Sequence, residues 1–139
     1  LFGAGGVIGN LIIGALVDEH LATLAIGVPL AQAVAIAVVA FVPGSFGAAC
    51  AAVVVWGAGF GGWLVIVNTW LGRAVPDRLE AGGGIVVAGF QLAITLGAAL
   101  GGPLVDQGGV PMTYAIGATL LAIGAILFGI AAKSSARSA

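Results

Sequence analysis

Charged side chains occur along this chain only in short clusters, and the segments between them, 1–17, 21–72, 81–105 and 107–132, are uncharged and largely apolar. A helix needs about 20 predominantly apolar residues to cross hydrocarbon. The second segment is long enough for two such helices, and Pro43, Gly44 and Ser45 supply a turn within it. The pattern predicts five spans, at about 1–17, 22–42, 46–71, 82–105 and 112–132. A spanning backbone must satisfy its own hydrogen bonds, and these segments lack the short alternating pattern of a barrel wall. The expected fold class is therefore all-α membrane: a polytopic bundle of five transmembrane helices surrounded by lipid.

Glycine sharpens this picture. The chain has 25 glycines, and Gly5/Gly9, Gly57/Gly61 and Gly97/Gly101 are each four residues apart, on one helix face. Small residues at that spacing let membrane helices approach closely. Gly57, Gly61, Gly97 and Gly101 are accordingly candidate packing positions. Asp77 and Glu80 suit the start of the fourth span, Gly108 and Gly109 its neighbourhood's end, and Pro111 the first turn of the fifth. Pro29 lies inside the second span and is expected to kink it.

Composition agrees: hydrophobic residues make up 61% of the chain and charged residues 6%, with a mean hydropathy of +1.25. No water-facing surface can be built from it. The net charge of −1 gives no reason to expect a nucleic-acid partner. Arg73, Arg78, Lys133 and Arg137 fall on one side of a five-span topology, and positive loops stay in the cytoplasm. The C-terminus and the 73–80 loop are therefore expected in the cytoplasm of a multi-pass plasma-membrane protein. The chain opens at Leu1 within an apolar stretch, which reads as a fragment incomplete at its N-terminus, with all 139 residues belonging to one transmembrane unit.

Catalysis requires a constellation of reactive groups, and the sequence offers none. His20 is the sole histidine, Cys50 the sole cysteine, and no serine or deep carboxylate lies within the spans. No catalytic residue, metal ligand or cofactor is expected, and the protein is not read as an enzyme. The polar side chains within the spans are Asn10, Gln32, Asn68, Thr69, Gln91, Thr95, Thr113, Tyr114 and Thr119. Polar groups in hydrocarbon need a partner or a wet cavity. Gly84, Ala88, Gln91, Thr95, Ala98 and Gly102 form one narrow stripe, so Gln91 and Thr95 either line a cavity or bond a neighbouring helix. Trp56, Phe60 and Trp63 share a face in the third span, where aromatic rings either contact a flat ligand or pack. Asn68 lies on the adjoining glycine face. Trp70 and Tyr114 are expected near the membrane boundaries.

Several motifs in order resemble the C-terminal half of a major facilitator superfamily transporter, of the drug and sugar efflux type that includes arabinose efflux permeases. They are Gly14-Ala15-Leu16-Val17-Asp18, Trp56-Gly57-Ala58-Gly59-Phe60-Gly61-Gly62, Asn68-Thr69-Trp70-Leu71, Arg73-Ala74-Val75-Pro76-Asp77, Phe90-Gln91 and Gly97-Ala98-Ala99-Leu100-Gly101-Gly102. The resemblance implies that the spans correspond to helices 8 to 12 of that fold. It favours Trp56, Phe60, Trp63 and Gln91 over Gln32 and Thr119; together with Thr95 and Asn68 these four are the substrate-cavity candidates. Asp18 matches the aspartate of the family's G-x-L-x-D loop, although Glu19 and His20 follow it where a basic residue is usual. Asp18, Arg73 and Arg78 are then candidates for the cytoplasmic loop and its gating, with Asp18 able to pair with either arginine.

The implied function is secondary transport: efflux of a small organic molecule by alternating access between two halves. The implied partners are the lipid bilayer, the small-molecule substrate and, through the missing half, protons in an antiport cycle. The rival reading is a multi-span membrane scaffold or subunit that transports nothing. A five-helix half of a smaller drug/metabolite transporter fits the G-x-L-x-D match and the 73–77 loop less well.

Overall fold

The structure, a computed structural model, describes the backbone of residues 1–42 and 44–135 and side chains as far as Lys133; Pro43, Arg137 and the C-terminal Ala139 lie outside the described residues. Three helices form it: α1, Phe2–Phe41; α2, Phe46–Ala74; and α3, Leu79–Ser135. A 3-10 turn over Pro76–Arg78 leads into α3. Each of the three is long and apolar enough to cross a membrane.

The helices number three where five were expected. The connections anticipated near 18–20 and 106–111 are not loops. α1 is interrupted at the single residue His20 (φ −123°, ψ 24°), and α3 at Gly109 (φ 75°, ψ 174°). One residue outside the helical region suffices to redirect the chain, so helical hydrogen bonding resumes at once and no loop separates the two sides. Glycine suits the second break, because a positive φ there would strain a side chain. Pro111 follows it within the first turn, where a missing N–H costs nothing. By contrast, the backbone stays helical through Pro29, which is fully buried. Its fixed φ is itself helical, so the break in α1 falls at His20 and not at the proline.

The two arms of α1 pack on α2 in opposite senses. Gly5, Gly9 and Ile13 of the first arm meet Val54, Ala58 and Gly62 of α2 in ascending order. In the second arm Gln32 meets Gly59 far along α2, while Phe41 at the end of that arm is only five residues from Phe46 at the start of α2, so the order is descending. The first arm is therefore parallel to α2, the second antiparallel to it, and the chain doubles back at His20. The later arm of α3 runs alongside α2, with Tyr114 at Trp56 and Phe128 at Trp63 and Trp70. It also meets the second arm of α1, where Gly129 faces Ile26.

The core lies at one end of this assembly. Ile13, Val17, Leu21, Ala25, Ile66 and Ala132 are buried together, with Trp63, Trp70 and Phe128 packed against them. Small side chains are what allow this density. Gly5, Gly9, Gly57 and Gly61 lie directly against the backbone of the opposing helix, so that a Cβ on any of them would overlap main-chain atoms. Dispersion between backbones at this range is unavailable to larger residues and supplies association where lipid offers no hydrophobic drive. Gly97 and Gly101, on the first arm of α3, have open space around them. That arm is the least buried part of the fold: Ile85 and Ile94 are 74% and 63% exposed.

These contacts generate a contrast between glycines of identical local conformation. Gly9→Leu should lower stability by about 1–3 kcal/mol or more through overpacking against Ala58. Gly97→Ala should leave it unchanged or raise it slightly, because alanine is the better helix former. Thermal denaturation of the detergent-solubilised protein, followed by circular dichroism, checks both.

Candidate functional site

Four exposed polar and aromatic residues, Phe2, Asn10, Phe60 and Asn68, lie beside the seam where the first arm of α1 runs parallel to α2. On α2 the exposed positions Phe60, Leu64 and Asn68 recur every four residues, one turn apart, and form a single face. Beside it stands Asn10, whose Nδ2 donates to the Gly61 carbonyl at 3.1 Å. Phe2 closes one end of this face. Its ring sits 5.8 Å from that of Trp56, edge to face, and 5.7 Å from that of Phe60. Trp56 in turn meets Tyr114 at 6.5 Å, again edge to face. Four rings from three helices thus form one continuous aromatic cluster, and such edge-on geometries contribute about 0.5–1.5 kcal/mol per pair beyond burial.

The residues proposed from sequence divide into three groups. Trp56 and Phe60 are joined through Phe2. Trp63 turns the other way and meets Phe128 edge to face at 5.1 Å, and Phe128 also takes Trp70 edge to face at 5.2 Å. Trp63 and Trp70 therefore belong to the core end, and the Trp70 Nε1–H is buried without a hydrogen-bond partner among the described residues. Tyr114 likewise stacks within the bundle. Gln91 and Thr95 form a third group on the first arm of α3, both exposed, with the Thr95 hydroxyl donating back to the Gln91 carbonyl at 2.8 Å.

Gln32 contributes a feature that spacing alone did not mark. It is buried, 6% exposed, with Nε2 3.4 Å from the Trp56 carbonyl. Its aliphatic stem fills the space left by the missing side chain of Gly59. The hydrogen bond is long, yet a polar group at this depth needs it. Gln32 thus ties the second arm of α1 to the backbone turn that carries Trp56.

At the core end, Arg73 rather than Arg78 reaches Asp18. The Arg73 Nη2 donates to the Asp18 backbone carbonyl at 2.8 Å and approaches its carboxylate Oδ1 at 3.3 Å. The backbone contact has a specific cause. The contact falls two residues before the break at His20, where the first arm ends, and a cation is favourable at a helix C-terminus. One arginine thus caps an arm of α1 from the far end of α2.

A cavity of about 540 Å³ lies elsewhere, between the second arm of α1 and the start of α2. Leucine, valine and alanine alone line it, so it offers nothing to orient a polar solute. No cluster of three or more metal-binding side chains occurs among the described residues.

No family model matches the chain, and no solved structure matches it. Curated proteins do. The chain is 36% identical, across 98% of its length, to the transcription regulatory protein OpdE of Pseudomonas aeruginosa. It is 31% identical, across 91% of its length, to the purine ribonucleoside efflux pump NepI of Escherichia coli K12, and equally to that of Shigella flexneri. It spans about a third of the length of these relatives, 34% of OpdE and 32% of NepI. The chain is thus a distant homologue of an efflux pump, and its long apolar helices match the membrane setting of such a protein.

The Asp18–Arg73 geometry separates the two contacts of the arginine. Asp18→Asn removes only the carboxylate charge of an exposed pair and should cost less than about 1 kcal/mol. Arg73→Gln also uncaps the first arm and should cost more, by about 0.3–1 kcal/mol. Thermal unfolding of the single and double variants measures the difference.

Proposed function

We propose that the chain is the C-terminal part of a major facilitator superfamily transporter that exports a purine ribonucleoside or a similarly flat, polar small molecule across the plasma membrane. The similarity to purine ribonucleoside efflux pumps over 91% of the chain carries this reading. The exposed face of Phe2, Asn10, Phe60 and Asn68 supports it chemically. Aromatic rings offer stacking surfaces to a base, while side-chain amides offer hydrogen bonds to a base or a sugar. Substrate then binds near the midplane, between this half and its partner half, and rocking of the halves exposes it to each side in turn.

The transport cycle needs no covalent chemistry. A proton antiport would require an ionisable group within the membrane. The charged residues here sit near the helix breaks and ends, so the coupling group belongs to the remainder of the protein. In the proposed topology the Asp18–Arg73 pair and the C-terminus face the cytoplasm. The pair then closes or releases the cytoplasmic mouth as a gate. Gln91 and Thr95, exposed on the sparsely packed arm of α3, face the partner half and line the cavity from that side.

OpdE, a transcription regulatory protein by name, favours a second reading, in which the membrane unit senses or relays and moves nothing. Transport measurement separates the two. The complete protein, expressed in cells preloaded with radiolabelled purine ribonucleosides, should accelerate their loss, and collapse of the proton gradient should abolish the acceleration. Efflux equal to that of cells lacking the protein would exclude the transporter reading. Gln91→Leu in the same protein should reduce efflux several-fold while leaving membrane insertion intact; unchanged efflux would remove Gln91 from the cavity.

A further inference from the structure

The start of the second arm of α1 and the last turn of α3 meet at the core end of the bundle. Leu21 and Ala25 turn inward there and are buried with Ala132, while Ile26 packs on Gly129. The outward side of the same crossing is open as a cavity of about 330 Å³, lined by Ala22, Thr23, Ile26, Gly27 and Lys133. It differs from the apolar cavity at the start of α2, because one ammonium and one hydroxyl stand in a wall that is otherwise apolar. Thr23 lies three residues past the break at His20, and Lys133 two before the end of α3. Both polar groups therefore sit at helix ends, at the depth where hydrocarbon gives way to headgroups. Lys133 is exposed and makes no ion pair among the described residues, whereas the Asp18 carboxylate is taken by Arg73.

We propose that this cavity holds an anionic phospholipid of the leaflet bordering the core end, with its phosphate on the Lys133 ammonium and the Thr23 hydroxyl and an acyl chain laid along the second arm of α1. Thr23, Gly27, Leu30 and Val34 are all exposed and recur at i, i+4, i+7 and i+11, which makes them one continuous face. From Thr23 to Val34 this face runs about 16 Å at 1.5 Å per residue, close to half of a hydrocarbon core about 30 Å thick. It thus crosses one leaflet, from headgroup level toward the midplane, as an acyl chain does. A Cβ at Gly27 would meet nothing within 4 Å, so the face has room one turn on from Thr23. A soluble anion has no use for such an extension of the site. Net charge decides among lipids. A zwitterionic headgroup carries its own cation, whereas an anionic one leaves its phosphate charge for Lys133, and basic pockets between membrane helices bind such headgroups. Binding of this kind needs a bilayer around the chain, not transport.

Competitive lipid binding to the purified complete protein tests this. After delipidation in detergent the protein is offered phosphatidylglycerol and phosphatidylcholine with identical acyl chains, and native mass spectrometry counts each lipid retained. The wild type should favour phosphatidylglycerol by about five-fold, the contribution of one basic side chain at an anionic headgroup. Lys133→Gln should remove most of that preference, and Lys133→Arg should keep it. Gly27→Leu fills the face and should cost the protein one retained phosphatidylglycerol, with thermal unfolding in the same detergent showing that the fold is intact. Lys133→Gln alters only an exposed side chain and carries the test alone should Gly27→Leu fail to fold. A wild type that retains the two lipids equally, a Lys133→Gln protein with the wild-type preference, or a folded Gly27→Leu protein that keeps the lipid would each overturn the assignment. So would displacement of phosphatidylglycerol by inorganic phosphate at equal concentration, which would mark a soluble-anion site instead.

Discussion

Direct backbone contact between the first arm of α1 and α2 is the constraint on which the other features depend. Gly5 and Gly9 from one side and Gly57 and Gly61 from the other bring the two main chains together without intervening side chains. That closeness places the Asn10 amide within reach of a carbonyl on the neighbouring helix and sets Phe2 against Trp56 and Phe60. It also fixes the register in which Asp18, one end of the arm, meets Arg73 at the end of α2. In lipid, where apolar side chains gain little by choosing each other over acyl tails, contact area and interhelical hydrogen bonds decide association. This seam has both.

The sequence made part of this legible. Four-residue glycine spacing marked Gly5, Gly9, Gly57 and Gly61 because a helix repeats every 3.6 residues. The same spacing at Gly97 and Gly101 carries no contact within the chain, since spacing describes one helix and says nothing about what stands opposite. Reversals at His20 and Gly109 could not be foreseen as single-residue events, because clusters such as 18–20 look like loops by polarity alone. The aromatic residues show the limit most clearly. Trp56, Phe60 and Trp63 share a sector of α2, but a sector of that width borders two different neighbours. Phe2 claims the first two rings and Phe128 the third.

Residues separated by long stretches of chain were the hardest to read. Asn10 and Gly61 are 51 positions apart, and Gln32 and Trp56 are 24 apart. Each pairing depends on the order and direction in which helices pack, which local pattern does not encode. Gln32 shows how such a pairing is built from absences as well as presences. Its stem occupies the volume that any side chain at Gly59 would take, so the amide reaches the Trp56 turn only because position 59 is empty of side chain.

Stiffness is distributed unevenly as a result. The two arms of α1 are locked to α2 by main-chain contact, by Gln32 and by the Arg73 cap, and they can turn only as one block. Between the contact of Gly82 with Leu71 and the reversal at Gly109, the first arm of α3 touches little, and its glycines from Gly83 to Gly102 meet nothing nearby. Segments with few buried contacts open and shift at the lowest free energy. Any swing of this bundle therefore has a ready pivot line, from Leu71 at one end to Gly109 at the other, about which a single rod can tilt while the block behind it keeps its shape.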